Sequence, residues 1–308
     1  MKTLDVLAMG EPMMEFSQVE RQGESLYLPG YGGDTSNAAI AAARSGAKAA
    51  YFTALGDDPF GRQILALWDR EGVDRSTVLT RQGAATGIYF ISHDDAGHHF
   101  SYFRAGSAAS LVDASAIPEA QIASARVLHV SAISQAISDS ACDAVFHALR
   151  CAREAGTTVC YDTNLRLRLW PLDRARAVIH AAVAMSDIAR PGLDDARKLT
   201  GLDAPEDICA FYLSLGCRIV ALTMGVEGAM VATPGETRVI PCHMVEAVDA
   251  TGAGDAFDGA FLAEWLRGGD PFAAANYANA AAALSTTGYG AVAPLPRRAD
   301  VEAFMART

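Results

Sequence analysis

The sequence predicts an α/β fold, one doubly wound unit over residues 1–308 with a small β lid. Three observations lead there. From Val127 onward, short apolar runs alternate with helical stretches, the pattern of parallel strands with helices on both faces. Two stretches, at about 11–31 and 86–104, break that rhythm with looser, aromatic-bearing alternation and read as inserted lid strands. Near the end, a glycine-rich loop at 249–261 opens an apolar helix.

The elements follow in order. Leu4–Met9 is a short apolar run ending at Gly10, a buried strand. Met13–Pro29 mixes apolar and polar residues as exposed strands do. Asp34–Ser45 is spaced as a helix, with Asp34 or Thr35 placed to cap it and Gly46 to end it. Ala49–Leu55 reads as one buried strand and Pro59–Glu71 as a helix. In TGIYFISHDDAGHHFSYFR, the runs Thr86–His93 and His98–Arg104 flank a turn at Asp94–Gly97, which signals a hairpin. Strands at Val127–Ser131, Val159–Asp162, Asp187–Ala189 and Arg218–Thr223 alternate with helices near Asp139–Ala155, Asp173–Met185 and Glu206–Leu215. A hairpin at Gly228–Cys242 precedes three alanine-rich helices, about 254–267, 271–286 and 299–307. Open α/β sheets bind ligands beyond the carboxyl ends of their strands, so a groove is expected between those ends and the lid.

Composition narrows the function. The chain is 51% hydrophobic and 20% charged, enough for a sizeable core. A net charge of -11 and a pI near 5.0 argue against a nucleic-acid partner. Six cysteines form no C-x-x-C pair and sit mostly in apolar segments, as free thiols in a reducing cytosol do, so a cytoplasmic protein without a disulfide framework or zinc site is expected. The seven histidines show no zinc spacing, and His98 and His99 fall in the lid turn, facing water. MKTLDVLAMGEP is too short and acidic for a signal peptide, and no charge-free apolar run of about 18 residues predicts a membrane span.

DATGAGDAFDGAF, at 249–261, carries the chemistry. Gly252, Ala253 and Gly254 lack bulk, so their amides can approach a ligand closely at a helix N-terminus, where free N–H groups and the dipole favour an anion. Phe257, Phe261 and Trp265 form a stripe that anchors the helix. Asp255 is either a first-turn acid complementing the dipole or a general base beside an anion hole. A phosphoryl group in flight needs donors around its oxygens, and the attacking hydroxyl must lose a proton.

This motif resembles the C-terminal signature of the ribokinase-like (PfkB) carbohydrate kinases, and GYGGDTSNAAIAAARSGAKAAYFTALGDDPFG resembles their N-terminal one. The resemblance runs from about Val6 to Pro296. It implies a ribokinase-like three-layer α/β/α sandwich with a β lid, and phosphorylation of a sugar hydroxyl by ATP with Mg2+. Asp255 would be the base and Gly252, Ala253 and Gly254 the anion hole. Gly32, Gly33, Asp34 and Asn37 would contact sugar hydroxyls, although by themselves they also read as a turn with a helix cap. Thr223, Gly225 and Gly228 would border the ATP phosphates, and Asn279 would lie on the adenine wall.

Further segments, GEPMMEF, YFRAGSAAS and DTNLRLRLW, are similar to the 2-keto-3-deoxygluconate kinase branch. That likeness implies an acid sugar engaged by Tyr89, Tyr102, Arg104, Asn164 and Arg166, with arginines suited to a carboxylate. A neutral sugar such as fructose or ribose, and a binding regulator without catalysis, stay open as alternatives. One departure concerns the metal. Where relatives carry N-x-x-E, Gly192 and Asp195 stand here, so Mg2+ is expected without an assigned protein ligand. A K+-type site near Asp249, Thr251 and the 285–290 loop, and a homo-oligomer formed through the lid, are also implied by the resemblance.

Overall fold

The computed structural model describes residues 2–21, 23–94 and 97–307. The expected turn at Asp94–Gly97 and the side chain of His98 lie outside the described residues. In chain order the strands are β1 (Leu4–Met9), β2 (Met13–Arg21), β3 (Glu24–Gly32), β4 (Ala49–Phe52), β5 (Ala54–Gly56), β6 (Leu79–Arg81), β7 (Ile88–Asp94), β8 (Gly97–Phe103), β9 (Ala125–Ser131), β10 (Thr158–Asp162), β11 (Ile188–Arg190), β12 (Ile219–Thr223), β13 (Ala229–Thr233) and β14 (Glu236–Ile240). The helices are α1 (Asp34–Arg44), α2 (Pro59–Glu71), α3 (Glu119–Ser124), α4 (Ala132–Ala136), α5 (Asp139–Glu154), α6 (Leu172–Val183), α7 (Leu193–Thr200), α8 (Pro205–Ser214), α9 (Ala253–Gly268), α10 (Pro271–Ser285) and α11 (Arg298–Met305).

The main sheet runs β14-β13-β12-β11-β10-β9-β1-β4. It is parallel from β4 to β12, with β13 and β14 turned antiparallel at the edge. Its central strands are continuously apolar because helices cover both faces. Alternation along β1 shows the two layers: Leu7 and Met9 join the core beneath α5, α6 and α8, whereas Val6 and Ala8 join the core beneath α1, α2, α9 and α10. This is the ribokinase-like three-layer sandwich expected from the sequence.

A second sheet, β3-β2-β7-β8, supplies the lid. Here β2 pairs parallel with β7, setting Glu15 opposite Tyr89, and β7 pairs antiparallel with β8, setting Tyr89 opposite Tyr102. Met13, Met14 and Glu15 at the start of β2 are buried, so only its far half is the exposed strand expected.

Three expectations need correction. Ala49–Leu55 is not one strand: β4 stays in the main sheet, while β5 leaves to pair with β6. The break falls at Thr53, whose hydroxyl turns to donate to Gly10 O at 2.7 Å. Neither Asp34 nor Thr35 caps α1; the cap is Gly33, at φ 107. A Cβ there would lie 2.5 Å from Glu11 O, so glycine is needed. Finally, α3, α4 and α7 were not anticipated as helices; at six, five and eight residues they are too short to declare a period.

Candidate active site

A cavity of about 770 Å³ opens between the carboxyl ends of β10, β11 and β12 and the underside of the lid. At its floor lies the start of α9. Gly252 adopts the left-handed conformation at φ 76 and caps the helix without any side-chain hydrogen bond. A Cβ at Gly254 would meet nothing, so open space adjoins the first turn, where Ala253 N donates to Ala250 O at 3.2 Å. The preceding loop is pinned by Asp249: Thr251 N and Oγ1 donate to its Oδ1 at 2.9 and 2.6 Å, and Gly290 N to its Oδ2 at 2.9 Å.

Asp255 lines this cavity, half-buried, and accepts a hydrogen bond from Asn37 Nδ2 at 2.8 Å. Burial, and then the charge of Asp34, hold its carboxyl well above the usual carboxylate range, against the opposing pull of Asn37 and Arg166. Asp34 in turn accepts from Thr35 N at 2.8 Å and from Asn164 Nδ2 at 3.0 Å. Residues from α1, from the end of β10 and from α9 are thus tied into one polar chain. Asp162, at the end of β10, is also raised well above its range, by burial and then by Asp258 and Asp34.

The lid side carries the arginines. Arg104 forms an ion pair with Glu11, whose carboxylate also accepts from Ser107 Oγ. Glu11 is 2% exposed, and burial raises its carboxyl despite those two partners. Arg104 Nε is a buried donor with no hydrogen-bond acceptor among the described residues. Arg166 is the freer cation: half its side chain is exposed, Nη1 donates to Leu165 O at 2.9 Å, and Asp195 Oδ2 stands 3.8 Å away. Arg168 reaches across to Phe100 O on β8 at 3.3 Å. Tyr89 stacks on Tyr102 with ring centroids 5.5 Å apart and donates its hydroxyl to Glu15. In the segment bearing Gly192 and Asp195, Asp195 Oδ2 accepts from Leu165 N at 3.1 Å, and burial raises its carboxyl.

The cavity therefore gathers Gly33, Asp34, Asn37, Tyr89, Tyr102, Arg104, Asn164, Arg166, Thr223 and 252–255. Four expected residues do not line it. Gly32 packs against the Tyr89 ring, Gly225 and Gly228 shape the turn from β12 into β13, and the Asn279 amide donates to Ile240 O and Pro241 O, at 3.0 Å each.

Sequence reasoning missed Glu11, Asp162, Arg190 and Asp258 on the cavity wall. Asp258 lies one turn beyond Asp255 and pairs with Arg190 at 2.5 Å, both almost fully buried. Arg190 also lies 4.0 Å from the centre of the Phe257 ring, and His129 Nε2 is 3.8 Å from Asp258. Burial lowers the pKa of His129, which favours its neutral form. The i, i+3 spacing of Asp255 and Asp258 was the one available signal, since it places both acids on one side of α9.

Comparison with known proteins gives this geometry its family. The pfkB family carbohydrate kinase profile matches residues 4–298. A 2-dehydro-3-deoxygluconokinase from Thermoproteus tenax is 34% identical, covering 96% of this chain and 93% of its own length. Fructokinase-1 from Zea mays is 33% identical, covering 96% of each. A solved fructokinase double mutant from Vibrio cholerae O395, in fructose-, ADP- and potassium-bound form, superposes with a TM-score of 0.88 at 28% identity over 99% of each chain. On the strength of the matched profile and these near full-length relatives, the chain belongs to the PfkB family of carbohydrate kinases, phosphotransferases that use an alcohol group as acceptor.

Proposed function

We propose that this sugar kinase transfers the γ-phosphoryl group of ATP to a hydroxyl of an acid sugar of the 2-keto-3-deoxygluconate class. The observation that carries the reading is the set of arginines, Arg104, Arg166 and Arg168, lining one cavity of a chain whose net charge is -11. Arginine binds carboxylates through paired N–H donors, and Arg166 is the one least committed within the chain. Tyr89, Tyr102 and the free donor of Arg104 complete the acid-sugar side, with Gly33, Asp34, Asn37 and Asn164 on its hydroxyls and Gly32 supporting Tyr89.

In the reaction, the sugar oxygen bonds to the γ-phosphorus, the bond from that phosphorus to the bridging oxygen breaks, and ADP leaves. Asp255 accepts the proton of the attacking hydroxyl, and its raised proton affinity suits the task. The amides of Gly252, Ala253 and Gly254 hold the transferred group, that of Ala253 by giving up its bond to Ala250 O. Thr223 borders the phosphates on the cavity wall. Gly225 and Gly228 shape the turn behind it, and Asn279 fixes the Ile240–Pro241 segment beside the nucleotide. Asp195 and Asp162, both on the cavity wall, would hold a divalent cation through water, and such a cation would supply neutralisation of phosphate charge. A K+ ion beside the loop pinned by Asp249 is supported by the potassium-bound fructokinase relative.

A second reading, a neutral ketose, is favoured by a different observation: Glu11 already neutralises Arg104, and fructokinases are almost as similar as the acid-sugar kinases. A coupled ATP assay over acid and neutral sugars separates the two, with wild type and Arg166→Ala side by side. The acid-sugar reading expects preference for the acid sugar and a loss of 10-fold or more, about 1.4 kcal/mol, on that substrate alone in the variant. Preference for fructose, unaffected by Arg166→Ala, establishes the neutral reading instead.

A further inference from the structure

Outside the cavity, three side chains of different chemistry converge. Glu119 opens α3, and His147 and Cys151 lie one turn apart on α5. Their ligand atoms all lie within 4.8 Å of one another. Glu119 Oε1 is 2.8 Å from His147 Nε2, and Cys151 Sγ is 3.5 Å from the same nitrogen.

A nucleophile relay would set the acid on one ring nitrogen and the thiol on the other. Here both partners compete for Nε2, so a single electropositive centre shared among the three is what the arrangement can hold. We propose that Glu119, His147 and Cys151 form a surface site for a divalent cation of zinc type, with water in the remaining position.

Zinc bonds of about 2.0–2.3 Å in a tetrahedron put the nitrogen about 3.6 Å from sulfur and about 3.3 Å from a carboxylate oxygen. The first spacing is already present, and the Glu119 carboxylate, 65% exposed, has room to back away for the second. Cys151 is backed by the core and rides on a 16-residue helix, so its sulfur is fixed before any ion arrives. Burial raises the Cys151 thiol, and Glu119 and Glu154 raise it further; those negative neighbours favour a bound cation. None of the three lines the kinase cavity.

The test uses the full chain stripped of metal by a chelator and then titrated with Zn2+ alone against a chromogenic competitor, with Co2+ as the spectroscopic probe. The proposal expects one equivalent of metal and a thiolate-to-cobalt charge-transfer band. In Cys151→Ser the band disappears, and Zn2+ binds at least tenfold more weakly there and in His147→Ala. Glu119→Gln, on an exposed side chain that disturbs no packing, also weakens Zn2+. Cys242→Ser, at the other cysteine that is not fully buried, changes neither readout. A band that survives Cys151→Ser, or Zn2+ affinity unchanged in both His147→Ala and Glu119→Gln, overturns the site.

Discussion

Asn37 and Asp255 stand 218 positions apart in the chain, and their hydrogen bond joins the expected sugar side of the cavity to the expected phosphoryl side. Asp255 was legible from DATGAGDAFDGAF because glycines, acid and helix start occur together. Its electrostatic setting was not, because Asp34, which raises its proton affinity, arrives from another helix. That setting has a pH consequence. The base must be ionised, so a raised pKa means activity falls as pH drops through the raised value, at higher pH than for an ordinary carboxylate. Asp34→Asn removes the largest charge contribution, so the acid limb of the kcat profile moves to lower pH even though sugar binding weakens. A limb unmoved in Asp34→Asn means that Asp255 is not the group being titrated. Glu11 escaped notice for the opposite reason: neither of the two acids in GEPMMEF announces a partner, and only the fold brings Ser107 and Arg104 to Glu11.

Between elements, the contact that matters most is α1 against α9. A Cβ at Gly259 would lie 2.1 Å from Ala38 O and 2.6 Å from Ala42 N, so the two backbones touch there. Gly259→Ala must push the helices apart, at a cost of about 1–3 kcal/mol by urea denaturation. The same shift separates Asn37 from Asp255, so kcat drops as well; full stability together with full kcat contradicts this view of the interface. Long periodic helices such as α5 and α9 were readable from sequence almost to the residue. The split of Ala49–Leu55 was not, because an apolar run does not say which sheet it belongs to. The zinc-type cluster is a related case. His147 and Cys151 share a helical spacing that looks unremarkable until α3 delivers Glu119 beside them.

At the scale of the whole molecule, the alternation of strands and helices pointed to a parallel sheet covered on both faces, and the two stretches that broke it are where the strands of the second sheet, β3-β2-β7-β8, fall. What strand order could not give was how the lid presents its outer surface. Leu26, Tyr27 and Leu28 leave the edge strand β3 exposed and apolar on both faces of the lid sheet, with Phe103 on the Tyr27 face, and that edge is suited to a second copy of this chain. We propose that the enzyme self-associates there; Leu28→Glu then lowers the mass seen by sedimentation, and a monomeric wild type sinks the idea. Among the described residues no helix is long and apolar enough to cross a membrane. The account as a whole rests on Asp255 acting as base beside the first-turn amides of α9. The most direct test is the turnover of purified Asp255→Asn, with ATP saturating and the best sugar of the panel as acceptor. The account predicts a fall in kcat of about 10²–10⁴-fold, with the fold intact and ATP still bound. An amide variant that turns over at the wild-type rate contradicts it.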